Sequence, residues 1–422
     1  MIRFYNGKIL SFEGGMHISE GEVWTEGGSI VHVGEAPQAL MDFEREIDLR
    51  GDLIMPGFKN AHTHTAMTFL RSFAEDLPLD KWLSTAVWPN EARLTNEAVY
   101  DFTKLGIMEY LSGGITASFD MYLKNAFNAQ ANVDCGFRTV LCGALNDFDA
   151  DISNVEREYL NFNSFHELVS YQLGIHAEYT TSMERMEYMA SLAEKYKAPC
   201  YTHLCETKSE VDGCIKRWGL TPPQLLERIG FFEYGGGGFH CVWMSDEDIE
   251  LFVKKGLWAV TNPASNLKLA SGVAPVEKML AAGVNMAIGT DGAASNNALD
   301  MFREMYLASA LQKKLTGDPS TGKAGSILEM ACVGSARAMG LDSCDDLAVG
   351  KKADLIVIDL NRPNMRPLND IAANLVYAGS KENVRLTMVN GKILYEDWQF
   401  YIGEKPEDIY ARTEKFMAEL RK

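Results

Sequence analysis

The chain has no run of about 20 consecutive apolar residues, so a membrane-spanning helix is not expected. Its first residues, Met1-Ile2-Arg3-Phe4-Tyr5-Asn6-Gly7-Lys8, carry no long apolar core of the secretory kind. A cytoplasmic protein is the expectation. Positive charge is scarce: 40 Lys and Arg against 58 Asp and Glu leave a net charge of −18. Such a surface repels a phosphate backbone, which argues against nucleic acid as a partner. The eight cysteines include no CxxC pair, and without a signal segment they read as reduced, mostly buried thiols. No internal repeat is evident, and the nearest thing to low complexity is Gly235–Gly238. What is present is ample apolar content: 422 residues, 46% hydrophobic, enough for a barrel-sized domain plus a smaller one.

Both ends of the chain have β texture. Residues 1–57 hold short runs broken by glycines, such as Gly7-Lys8-Ile9-Leu10 and Ser29-Ile30-Val31-His32-Val33-Gly34. Near the other end, Ala353–Asp359 reads as a strand, and Leu386–Lys392 leads into a hairpin with Asn390-Gly391 at its turn. One small β-sandwich built from 1–57 and 346–422, with a helical tail, accounts for both. Between them, over 58–345, short apolar runs alternate with helical patterns. The candidate strands are Leu53–Phe58, Ile115–Asp120, Arg138–Ala144, Tyr171–His176, Pro199–His203, Gly237–Cys241, Leu257–Thr261 and Asn285–Gly289. Eight such alternations suggest an α/β fold of the (β/α)8 TIM-barrel type. A doubly wound open sheet has the same alternation, and periodicity does not choose between them.

Polar residues cluster at the ends of these strands. His62 and His64 follow strand 1, His176 ends strand 4, His203 ends strand 5, His240 ends strand 6 and Asp291 follows strand 8. In a barrel those ends converge on one face, where catalytic groups assemble. Residues i and i+2 of an extended segment point the same way, so His62 and His64 could share one cation. A bare HxH pair is common by chance. Adding His203 and Asp291 makes three nitrogens and one oxygen, a set suited to zinc or to iron(II). Glu206 lies three residues past His203, placed to carry a proton. One decoy fails on spacing: His176-Ala177-Glu178 with Pro199-Cys200 resembles the H-x-E…P-C-x-x-C signature of small zinc deaminases, but Cys205 is too far from Cys200.

Met55-Pro56-Gly57-Phe58-Lys59-Asn60-Ala61-His62-Thr63-His64 resembles the opening signature of the amidohydrolase superfamily. Leu70–Leu79 with Trp82-Leu83, Thr202–Thr207, Asn262–Leu269 and Gly289–Asn297 are similar to its methylthioadenosine/S-adenosylhomocysteine deaminase group. The resemblance implies a barrel with one divalent metal, usually zinc, on His62, His64, His203 and Asp291. Members with two metals use a carboxylated Lys on strand 4; here that strand ends at His176, which favours a single ion. The resemblance further implies that Asp291 accepts the proton of the attacking water, His240 orients that water and Glu206 protonates the ring nitrogen. It places Trp82, Glu91 and His176 against a nucleoside substrate, with Glu91 on the ribose hydroxyls.

One departure bears on the substrate. Members that accept S-adenosylhomocysteine hold its carboxylate with arginines after strand 3. Here Thr139–Asp151 has no arginine and carries Asp147, Asp149 and Asp151. The expectation is a small-molecule nucleoside, adenosine or methylthioadenosine, preferred over S-adenosylhomocysteine. The alternatives are a deaminase or chlorohydrolase of another heterocycle (guanine, a triazine, a pterin) and a non-catalytic metal-binding barrel. A homo-oligomer is compatible with the sequence. The Gly235–Gly238 run before His240 has no explanation at this level.

Overall fold

The structure, a computed structural model, describes residues 1–37, 42–73 and 75–422. Residues 38–41 of the N-terminal β segment and Ala74 of the Leu70–Leu79 motif lie outside the described residues. Eight parallel strands run in sequence order around a barrel: Phe58–Thr63, Ile115–Asp120, Arg138–Cys142, Val169–Ala177, Cys200–Leu204, Gly236–His240, Trp258–Thr261 and Asn285–Ile288. They are strands 1 to 8 below. Helices between them include Asn96–Ser112, Met183–Tyr196, Asp246–Lys255 and Val276–Ala282. Ser245 caps its helix by accepting from the Asp248 N–H, while Asp248 accepts from the Ser245 N–H. Strands 1, 2, 3, 5 and 6 are buried along their whole length, as expected for a parallel sheet covered on both faces.

Strand 8 closes on strand 1 largely through side chains. The Asp291 N–H donates to the His62 carbonyl (2.9 Å). Asn60 Oδ1 accepts the Thr290 N–H (2.8 Å), and Asn60 Nδ2 donates to the Thr290 hydroxyl (2.7 Å). Gly289 permits this approach, since a Cβ there would lie 2.6 Å from the His62 nitrogen. Ala61, Phe119, Tyr201, Phe239, Val260 and Ala287 fill the barrel interior.

The two chain ends build one nine-stranded, sandwich-like sheet. Leu53–Pro56 is its junction, pairing parallel with Ile2–Ser11 and antiparallel with Leu355–Ile358. This corrects one boundary. Leu53–Phe58 is not the first barrel strand: the apolar run divides at Gly57, giving Leu53–Pro56 to the end sheet and Phe58–Thr63 to the barrel. Apolar periodicity cannot see a break between two buried strands; Pro56-Gly57 was the only local sign of it. Asn390 and Gly391, at φ 48° and 77°, form the hairpin turn between Val384–Val389 and Lys392–Glu396. Arg138 at the foot of strand 3 grips Asp354 of the end sheet through two contacts of 2.6 and 3.0 Å, both groups buried. The C-terminal helix Pro406–Leu420 packs against the barrel helix Asn96–Ser112, with Phe416 and Phe102 ring centroids 5.7 Å apart and Arg412 on Asp101 at 2.7 Å.

Candidate metal centre and active site

The C-terminal ends of strands 1, 5, 6 and 8 meet over Phe239, on whose ring His62 stacks at 3.9 Å between centroids. Strands 5, 6 and 8 turn sharply at this rim. Cys205, His240, Cys241 and Asp291 all have positive φ (51°, 75°, 49° and 59°), a conformation that costs a non-glycine residue roughly 1–2 kcal/mol. The turns aim side chains at the barrel axis instead of along the strands.

Hydrogen bonds decide which ring nitrogens face inward. His64 Nδ1 donates to the Met121 carbonyl. His203 Nδ1 donates to the His176 carbonyl (2.7 Å), and His240 Nδ1 to Asn266 Oδ1 (2.8 Å). Each Nε2 is thereby turned towards the barrel axis, where it can hold a proton or a cation. His203 Nε2 lies 3.3 Å from His64 Nε2, which lies 3.2 Å from Asp291 Oδ1. Neither nitrogen of the fully buried His62 has a hydrogen-bond partner among the described residues, and Nε2 stands 3.7 Å from Asp291 Oδ1. Acceptors facing acceptors, and an orphaned buried imidazole, are unfavourable until a cation or proton joins them. Among the described residues, two groups keep their ligand atoms within 4.8 Å of one another: His62, His64 and Asp291; and His62, His203 and His240. The donor set fits a divalent cation.

The charges answer to the same geometry. Burial works against charge on both His64 and Asp291, yet the contact between them holds His64 up at about 9 and Asp291 well below the usual carboxylate range. Burial and neighbouring imidazoles push His62 and His203 well down, keeping them neutral and available as donors of lone pairs. Ser265 and Ser295 donate to Asp291 Oδ2 (2.5 and 2.8 Å), and the Gly292 N–H donates to Oδ1 (2.7 Å).

Glu206 sits on the loop after strand 5, with Ser271 Oγ donating to Oε1 (3.4 Å) and His240 Nε2 at 3.9 Å from Oε2. Burial raises its pKa, which favours the proton-bearing acid. Glu210 braces the loop by accepting the N–H groups of Cys205 and Glu206 (both 2.8 Å).

These groups open on a cavity of about 600 Å3 lined mostly by apolar side chains. Trp82, Glu91 and His176 all line it. Trp82 ends the short helix Leu79–Trp82 and is buried; burial raises the pKa of Glu91. His176 Nδ1 is engaged with Thr180 Oγ1 (2.9 Å), leaving Nε2 for the cavity. Every residue singled out from the sequence therefore reaches one rim. Ser265, Asn266, Ser271, Ser295 and Glu210 were missed as individuals. Four of them lie in the segments after strands 7 and 8, and nothing in their spacing marks the carboxylate or imidazole each supports.

The glycine run is explained here. Strand 6 is squeezed between strands 5 and 7: a Cβ on Gly236 would lie 1.9 Å from the Cys200 carbonyl oxygen, and one on Gly237 2.1 Å from that of Trp258. Only glycine admits this close approach.

Fold and site together define the class: a (β/α)8 barrel enzyme with histidine and carboxylate donors gathered at its C-terminal mouth. The amidohydrolase family model matches residues 53–394. The chain is 41% identical to a 5-methylthioadenosine/S-adenosylhomocysteine deaminase of Moorella thermoacetica over 87% of each chain. It is 38% identical to a 5'-deoxyadenosine deaminase of Methanosarcina acetivorans, covering 94% of this chain and 93% of that one. A zinc-bound adenosine deaminase of Xanthomonas campestris superposes with a TM-score of 0.94 at 31% identity, covering 100% of this chain and 98% of that one. The chain belongs to the amidohydrolase family, and it is a hydrolytic deaminase.

Proposed function

We propose that the chain removes ammonia from an adenosine-type nucleoside, with adenosine or methylthioadenosine preferred over S-adenosylhomocysteine, and that it uses one divalent metal, zinc before iron. The observation that carries this reading is the set of ring nitrogens converging beside Asp291, with the buried Glu206 next to them. His62, His64, His203 and Asp291 would hold the ion, three nitrogens and one oxygen being a common zinc set. A cation there supplies the Lewis acidity that brings water towards hydroxide near neutral pH. The protein's own groups do the rest. Asp291 takes up the water proton, its Oδ2 steadied by Ser265 and Ser295. His240, held through Asn266, orients the water. Glu206 gives its proton to the ring nitrogen beside the attacked carbon, relieving the negative charge that develops there. Ammonia then departs, leaving an inosine-type product.

Glu91 would accept the two ribose hydroxyls, with Trp82 as a wall and His176 Nε2 as a further contact. Asp149 lines the cavity, and no arginine does among the described residues. Arg185 approaches the segment after strand 3 but lies outside the cavity lining, with Nε on the Asp147 carboxylate (3.3 Å) and Nη2 on the Asp149 carbonyl (2.9 Å). A substrate carboxylate would meet like charge there. The test is ammonia release from adenosine, methylthioadenosine, S-adenosylhomocysteine and free bases by metal-loaded protein, with metal content measured in parallel. A higher kcat/KM for S-adenosylhomocysteine defeats the preference; turnover confined to free bases defeats the nucleoside reading.

A further inference from the structure

A second cavity, of about 120 Å3, lies beside the first, and Tyr122, Leu123, Lys124, Ala144, Asn146 and Asp149 line both. It is roughly tenfold larger than the space one water needs. Its inner wall adds Asn125, Asp151, Glu158 and Tyr171. The three carboxylates differ. Asp151 is paired with Arg157 at 2.9 Å. Asp149 and Glu158 carry no ion pair among the described residues. Asp149 accepts the Asn146 N–H (2.8 Å), and Glu158 accepts from Asn125 Nδ2 (2.8 Å) and the Tyr171 hydroxyl (3.1 Å). Burial pushes both carboxyl groups above their ordinary range. Asn125 is 5% exposed, and its Oδ1 has no donor at all. The chamber thus holds two carboxylates outside any ion pair, with Arg185 acting on Asp149 only through space, and one amide oxygen without a hydrogen-bond donor. All three are acceptors, and a primary ammonium brings three donors.

We propose that this chamber binds the ammonium group of a 5′-substituent on the nucleoside, through Asp149, Glu158 and Asn125 Oδ1. The inference rests on the nucleoside deaminase reading and adds the charge of the tail. Two groups oppose it: Lys124, whose exposed side chain stands at the boundary of the two cavities, and Arg185, which bonds the Asp149 carbonyl and acts on its carboxyl through space; they are the features that would favour a carboxylate tail instead.

The experiment compares three probes on the metal-loaded enzyme: 5′-deoxyadenosine carrying an aminopropylthio, a butylthio or a carboxyethylthio group. Both kcat/KM and calorimetric Kd are measured. The amine should exceed the isosteric butyl compound by roughly tenfold, the size of one charge-assisted hydrogen bond. In Glu158→Gln, and separately in Asp149→Asn, the amine-to-butyl ratio should fall towards one. That ratio is internal to each protein, so general damage by a substitution does not alter it. No amine advantage in the parent protein, a carboxylate preferred over the amine, or an advantage that survives both substitutions overturns the proposal. Amine-selective binding without turnover would strike the deaminase reading and leave the chamber standing. Turnover of adenosine without amine selectivity would do the reverse.

Discussion

Replacing Glu206 by Gln separates proton transfer from everything else that residue does. The side chain is 7% exposed and touches Ser271 and His240, so an isosteric amide fits the same space. It can still accept from Ser271 Oγ, but it has no proton to give. A positioned general acid contributes about 10²–10⁴ in rate, so kcat should fall by that factor, equivalent to about 2.7–5.4 kcal/mol of lost transition-state stabilisation. Glu206 is not in either group of close ligand atoms, so metal content should stay at the parent level. Thermal stability should hold or rise slightly, because a buried carboxyl is removed. The assay is single-turnover ammonia release with adenosine, alongside elemental analysis and a melting curve. Full activity in the variant would refute the acid role. Loss of metal together with activity would show that Glu206 shapes the centre instead of serving the substrate.

Further outcomes follow from the same geometry. His176 is held down at about 4 by burial and by the charges of His64 and His240. Its folded value lies below its unfolded value of about 6.5, so the unfolded chain binds the extra proton and stability falls as pH drops from about 6.5 to about 4, by at most about 3 kcal/mol. Urea midpoints of metal-free parent and His176→Asn at pH 7.5 and 5 should differ more for the parent; an equal drop would remove His176 from the cause. Arg138→Met should cost about 3–5 kcal/mol in chemical denaturation by stranding the buried Asp354, and a loss under about 1 kcal/mol would show that water reaches the carboxylate. Gly236→Ala places a Cβ 1.9 Å from the Cys200 carbonyl at φ 112°, so it should destabilise by about 3 kcal/mol or more; a variant with parent melting temperature and metal content would overturn the account of the glycine run.

Much of the site was legible because barrel chemistry sits at strand ends, and strand ends can be read from apolar runs. His62, His64, His203, His240 and Asp291 follow from that rule. The Leu53–Phe58 boundary was misread because two buried strands of different sheets adjoin at Gly57. Ser265, Asn266 and Glu210 are invisible as individuals, since their partners lie 26 residues away for Ser265 and Asn266, or are backbone N–H groups at a positive-φ turn for Glu210.

The sequence by itself determined the alternation of strand and helix, the acidic surface and the identity of the donor residues, because these depend on local pattern and composition. Only the tertiary structure decided which nitrogen of each histidine faces inward, since that follows from carbonyl and amide acceptors on neighbouring strands. It also decided that Asp149 and Glu158 share a chamber with Asn125. Asn125 opens the helix after strand 2, Asp149 and Glu158 both follow strand 3, and they meet only because these adjacent strands bring the two segments together.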